Sequence, residues 1–217
     1  MVKIKELTDD LIAYCEKKKI DIVGFCDPAN FNIFDRVHTP ESFLKNSKTT
    51  IVVGFYLYDI NLDAWSKDKK KDKSYHFADS ILLGQCHQIK KFLAKKGFKS
   101  KIIPYEPGLY LKDAAALAGI GPIGKNNLLI TEKYGSQVRL RALVTEAELF
   151  CGTPIHESEY CKNCNICVNS CPAGALEQGE YHKAICHNYC LDNLENLSDD
   201  TVLWCNICIE VCPIGKK

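Results

Sequence analysis

Nine cysteines fall between Cys161 and Cys212, and their spacing is that of iron–sulfur ligands. The first string is Cys161-Lys-Asn-Cys164-Asn-Ile-Cys167-Val-Asn-Ser-Cys171-Pro172. Three thiolates at such spacing wrap three corners of one four-iron cube, and the fourth reaches a neighbouring cluster. Pro172 turns the chain away, because its ring stops the local loop from continuing. A second string, Cys205-Asn-Ile-Cys208-Ile-Glu-Val-Cys212-Pro213, repeats the pattern in shorter form. Two strings imply two [4Fe–4S] clusters and eight thiolates. One cluster takes Cys161, Cys164, Cys167 and Cys212. The other takes Cys205, Cys208, Cys171 and an intermediate cysteine, for which Cys186 is the choice and Cys190 the reserve.

Two other chemistries use cysteine pairs. Structural zinc is held tetrahedrally by such pairs, but has no need of a four-cysteine run or of two Cys-Pro tails. A disulfide framework suits small secreted domains, and neither the size nor the N-terminus of this sequence fits that class. The remaining cysteines, Cys15, Cys26, Cys86 and Cys151, are scattered and read as small apolar core residues.

Positioning these ligands falls to a chain of 217 residues with 46% hydrophobic and 25% charged residues, ordinary for a globular protein. A net charge of +1, with no basic stripe interleaved with aromatics, gives no sign of a nucleic-acid surface. No apolar leader and no membrane-length run stand in the sequence, so a cytoplasmic protein with no membrane partner is expected.

Thr8 followed by Asp9 and Asp10 reads as a helix start that runs to Lys17-Lys18-Lys19. Asp21–Cys26 and Thr49–Leu57 read as strands, the second apolar enough to be buried on both faces. The Lys67–Lys73 charge run reads as a solvated loop. An amphipathic helix is expected over Phe77–Lys96, with Ile81, Leu82, Gln85, Ile89, Phe92 and Leu93 on its apolar face and Gly97 as its stop. Strands are expected at Phe98–Ile103, Asn127–Thr131 and Val138–Val144, with a helix through Ala114–Ala118. The fold class is therefore mixed α/β (α+β), with an α/β domain over residues 1–150 and a cluster module over 151–217.

Gly119-Ile-Gly121-Pro-Ile-Gly124 matches a dinucleotide fingerprint literally but in the wrong setting. That fingerprint needs a strand before it and a helix after it, and here the order is reversed. Close approach of the backbone to some other bulky group is what the glycines still allow.

Ala118-Gly-Ile-Gly-Pro-Ile-Gly-Lys-Asn-Asn-Leu-Leu-Ile-Thr131 resembles the glycine-rich signature of epoxyqueuosine reductases. Tyr134-Gly-Ser-Gln-Val-Arg-Leu140 with Val144-Thr-Glu146 resembles a stretch of respiratory reductive dehalogenases. Cys186-His-Asn-Tyr189 is similar to a C-x-x-Y element of the reductases, which favours Cys186 as ligand. The resemblance implies a nitroreductase-like domain that holds cobalamin (a flavin is the lesser alternative), followed by a ferredoxin-like two-cluster module. It implies an iron–sulfur reductase passing electrons to a cobalamin-type cofactor and a small substrate. Gly119, Gly121, Gly124, Lys125, Asn126, Asn127, Tyr134 and Arg139 would then lie against the cofactor.

The reductases' acidic Asp-x-Gly-Pro element is replaced here by Tyr105-Glu-Pro-Gly108, so Tyr105 or Glu106 is the candidate proton donor. His182 and His187 flank Cys186 and are candidates for hydrogen bonding to a cluster. The implied partners are an electron donor such as a ferredoxin or flavodoxin, and a small-molecule substrate or corrinoid. No tRNA is expected, since the sequence stops at Lys217 where the reductases continue into a tRNA-gripping region. The alternative is a non-catalytic, ferredoxin-like electron carrier that docks on a partner enzyme.

Overall fold

The computed structural model describes residues 2–68, 73–177 and 180–215. Its elements run α1 (Val2–Lys17), β1 (Ile22–Cys26), α2 (Pro40–Phe43), β2 (Thr49–Tyr56), β3 (Trp65–Asp68), β4 (Lys73–His76), α3 (Phe77–Lys95), β5 (Ser100–Ile102), α4 (Leu111–Leu117) and β6 (Val138–Thr145). They continue with α5 (Ile166–Ser170), β7 (Leu176–Glu177), β8 (Glu180–Tyr181), α6 (Lys183–Asp192), β9 (Glu195–Ser198), β10 (Thr201–Leu203) and α7 (Ile207–Glu210). The mixed α/β class is as expected. Two compact units form: residues 1–55, 81–121 and 140–156 in one, and 56–80, 122–139 and 157–217 in the other.

The first unit is built on a four-stranded sheet in the order β1-β2-β6-β5. β1 pairs antiparallel with β2 from Ile22↔Gly54 to Cys26↔Thr50, and β5 pairs antiparallel with β6. β2 is buried along all but its last residue, as a run of Thr-Thr-Ile-Val-Val-Gly-Phe requires when both faces are covered. In α3, Leu82, Cys86, Ile89 and Leu93 are all fully buried. Their spacing of three or four places them on one stripe, each aliphatic contributing about 2 kcal/mol of burial. Gly97, at φ 88°, ends this helix in the left-handed region. Tyr14 of α1 packs on Phe92 of α3 with ring centroids 4.8 Å apart.

Thr8 is not a helix cap. α1 begins at Val2, and the Thr8 hydroxyl donates to the Ile4 carbonyl one turn back while accepting the Phe150 N–H. A hydroxyl that satisfies groups of two segments has a tertiary role, which local sequence does not show. Cys15, Cys26 and Cys86 are buried as expected, while Cys151 is partly exposed.

The second unit contains a sheet in the order β4-β3-β10-β9. The β3–β4 hairpin has Trp65 opposite His76, their rings stacked at 4.6 Å. Of the Lys67–Lys73 run, read as a loop, Lys67 and Asp68 belong to β3 and Lys73 to β4, and residues 69–72 are outside those described.

Asn127–Thr131 is not a strand. The Gly124 N–H donates to the Leu128 carbonyl, and the Ile130 N–H donates to Pro122. Residues 122–130 therefore close on themselves as a tight hairpin bridged at Ile123↔Leu129, with Asn127 left-handed at φ 56°. A backbone that reverses within five residues cannot extend. Asn is among the few side chains that accept the reversal. As the sequence order implied, helix α4 precedes the glycine run and no helix follows it through residue 137.

Candidate metal centre

The two cysteine strings fold alike. Asn165 and Asn206, which follow Cys164 and Cys205, have nearly the same backbone angles (φ −126°, ψ 17° and φ −120°, ψ 12°). Each opens a single helical turn, α5 or α7, and the two turns pack together. In each repeat the second cysteine, Cys167 or Cys208, sits on that turn, and the third, Cys171 or Cys212, lies past its end. Cys186 and Cys190 stand four residues apart on α6, hence on one face of it.

The thiols fall into neighbourhoods. Cys167 lies in the field of Cys161, Cys164 and Cys212. Cys205 lies in the field of Cys186 and Cys171, and Cys208 in that of Cys205, Cys186, Cys167 and Cys171. Burial first, and then repulsion from these neighbouring thiolates, push Cys208 up to about 12. Cys190 is pushed up to about 11, by burial and then by Cys186. The hydroxyl of Tyr181 hydrogen-bonds Cys186.

Backbone N–H groups partly offset the crowding. The Ala175 N–H donates to the Cys171 sulfur at 3.4 Å. Val168, Ile207 and Cys205 supply backbone hydrogen bonds to Cys167, Cys205 and Cys190, respectively. Crowded thiols that resist ionising singly, with amides aimed at their sulfurs, fit a polynuclear group that brings its own positive charge. Among the described residues, no three His, Cys, Asp or Glu side chains close on one point as a single ion requires.

The residues read as cofactor contacts have protein partners. Lys125 donates from Nζ to the Cys164 carbonyl at 3.1 Å and to Asn165 Oδ1 at 2.8 Å. Asn126 donates from Nδ2 to the Cys208 carbonyl at 3.1 Å. The Asn127 N–H donates to the Gly124 carbonyl at 2.9 Å. Tyr134 stacks on Tyr56 with centroids 4.5 Å apart. Arg139 makes a two-pronged ion pair with Asp63, which also receives His76 Nε2 at 2.9 Å.

A side chain on Gly119 would meet the Thr153 carbonyl at 2.7 Å, and one on Gly124 would meet Ile130 at 2.8 Å. Close approach does explain both glycines, but what approaches them is the protein itself. Gly121 is buried. Tyr105 is half exposed, its hydroxyl 3.4 Å from the Leu140 carbonyl and its ring 4.7 Å from the Arg141 guanidinium. Glu106 is exposed. His187 meets Trp204 edge-on at 5.5 Å. Sequence reasoning missed Asp63 and His76, whose roles depend on strand pairing far from any motif. It also missed Asn165, which the repeated Cys-Asn-Ile-Cys does mark.

Among the described residues no helix is long and apolar enough to cross a membrane. A family model described as a 4Fe-4S binding domain matches residues 154–177. The epoxyqueuosine reductase of Listeria monocytogenes is 45% identical over 76 residues, 35% of this chain and 20% of that protein. A tetrachloroethene reductive dehalogenase of Dehalobacter restrictus is 32% identical over 102 residues, 46% of this chain and 18% of that protein. The chain thus spans about a fifth of each of these relatives.

The solved epoxyqueuosine reductase of Bacillus subtilis superposes with a TM-score of 0.72 at 22% identity, over 97% of this chain and 66% of that one. A solved reductive dehalogenase, whose structure bears on B12-dependent dehalogenation, gives 0.64 at 13% identity, over 91% of this chain and 30% of that one. A further epoxyqueuosine reductase, solved with an epoxyqueuosine-modified tRNA-Tyr stem loop, gives 0.71 at 21% identity over 97% of this chain and 65% of that one. That complex corrects the expectation that no tRNA is involved. The end of the sequence at Lys217 is no guide to partners. The cysteine repeat, the glycine hairpin and these likenesses agree: over part of its length the chain is similar to epoxyqueuosine reductases and reductive dehalogenases, it shares their fold, and residues 154–177 match a 4Fe-4S binding domain.

Proposed function

We propose that this chain is an iron–sulfur oxidoreductase that moves single electrons through two [4Fe–4S] clusters to a bound acceptor. The observation that carries this reading is the folded repeat of the two cysteine strings, whose Asn165 and Asn206 share one backbone geometry and whose single turns α5 and α7 pack together. Cys161, Cys164, Cys167 and Cys212 would hold one cluster, and Cys171, Cys186, Cys205 and Cys208 the other. When bound, the clusters supply one-electron transfer at potentials that burial and hydrogen bonds can set very low. The residues' own part is to fix the sulfurs, aim N–H groups at them and limit the access of water. Residues 151–217 carry the ligands, and residues 1–150 are assigned to the acceptor.

The acceptor proposed is a cobalamin, on the strength of the B12-dependent dehalogenase that shares this fold. The residues nominated for it do not themselves make the case, because Lys125, Asn126 and Arg139 all direct their polar tips at protein partners. No step is therefore derived through it. The same engagement favours a second reading, a non-catalytic electron carrier. Anaerobic purification followed by visible spectra, with and without added cobalamin, tests both. A corrin band that stays with the protein supports the reductase, and a modified tRNA stem loop is then the first substrate to assay. A flavin band replaces the corrin by the lesser alternative. Iron–sulfur absorbance alone, with no retention of cobalamin, supports the carrier.

A further inference from the structure

The side chains at the tip of the 122–130 hairpin each hold a different cysteine string. Lys125 reaches the Cys164 carbonyl and Asn165 Oδ1, at 3.1 and 2.8 Å. Asn126, only 5% exposed, gives its Nδ2 to the Cys208 carbonyl at 3.1 Å. Its Oδ1 takes the Leu128 N–H at 3.3 Å, so the amide is fixed from both ends. The tip itself is fixed by the Gly124–Leu128 and Pro122–Ile130 backbone bonds. Gly124 has no room for a side chain beside Ile130. Two adjacent residues on a closed hairpin thus brace one ligand residue of each string.

We propose that Lys125 and Asn126 are positioning residues for the clusters, and that they treat the two clusters differently. The inference rests on the two-cluster reading above. Asn126 is neutral and fixes only the path of the Cys208 loop. Lys125 fixes the Cys164 loop and also sets a positive charge beside the cluster of Cys161, Cys164, Cys167 and Cys212. A reduced cluster carries one more negative charge than an oxidised one, so a nearby ammonium favours reduction. A partly buried charge is little screened by salt. The brace therefore raises the electron affinity of that cluster and biases where an arriving electron rests.

The test is an EPR-monitored redox titration of the reconstituted holoprotein, with iron counted on every sample. K125M is expected to keep the wild-type iron content. It should lower the reduced-to-oxidised ratio of one cluster by about tenfold at a fixed poise, and leave the other unmoved. K125R should restore the ratio. N126A should broaden or deplete the other cluster's signal without moving the first. Two clusters that titrate in K125M as in the wild type, or that shift together, overturn the inference and leave the two-cluster reading intact. Loss of iron from K125R as well as K125M also overturns it, since the charge would then not be what matters. A wild-type chain holding a single cluster overturns the reading and the inference together.

Discussion

Asp63 receives two nitrogens of Arg139 on its two carboxylate oxygens, and the carboxylate is 4% exposed. His76 completes the arrangement at 2.9 Å from Oδ1, with Trp65 stacked on its ring. Arg139 is thus neutralised within its own unit. Removing the charge of Asp63 strands a partly buried guanidinium, a loss that typically costs about 3 kcal/mol or more. Asp63→Asn should lower the urea midpoint accordingly, and a change under about 0.5 kcal/mol, the size of an ordinary surface substitution, would contradict the pairing.

The same carboxylate sets a pH dependence. Burial pushes its pKa up, but the hydrogen bond from His76 and the charge and hydrogen bond of Arg139 outweigh burial and hold it below the ordinary value of 3.8. A depressed folded-state pKa contributes stability that is complete above the unfolded value and lost as pH falls through the folded one. Wild-type stability should therefore fall more steeply than that of Asp63→Asn below about pH 4. Parallel curves from pH 6 to pH 3 would count against the assignment.

Cys186 and Cys190 make a discriminating pair. Cys186 is sensed by both Cys205 and Cys208 and takes a hydrogen bond from Tyr181, whereas Cys190 is 3% exposed and holds the Cys205 N–H. Cys186→Ser should lose or convert one cluster, with roughly half the iron gone when four irons go with each cluster. Cys190→Ser should keep both. The reverse outcome in EPR and iron analysis would exchange their roles.

The cysteine strings were legible because cluster ligation imposes spacing on the chain itself. So was most of the α3 stripe, because a period near 3.6 is a local property, and Gly97 marked its end; Ile81, expected on that face, is exposed, and Cys86 takes a place there instead. The proposed eighth ligand was less legible, because Cys186 and Cys190 share a helical face. Lys125, Asn126 and Arg139 were recognised as special, but their partners Cys164, Cys208 and Asp63 are brought to them by tertiary packing. The Asn127–Thr131 strand failed for a related reason. Leu-Leu-Ile has the composition of a strand, while the hydrogen bonds across Pro122–Ile130 turn it into one arm of a tight reversal.

Gly119 separates a structural glycine from a cofactor glycine. It stands at φ 71°, and a Cβ there would lie 2.7 Å from the Thr153 carbonyl. Gly119→Ala should cost about 1–3 kcal/mol from backbone strain alone, with or without any cofactor. Calorimetry of the cofactor-free chain checks this. An unchanged melting temperature there, with loss only of a ligand-induced shift, would return Gly119 to a cofactor surface.

Iron content tests the central claim most directly. Protein made and handled without oxygen, then assayed for iron and acid-labile sulfide, should carry about eight of each per chain, as two four-iron cubes require. About four, or a zinc stoichiometry in place of iron, would contradict the account.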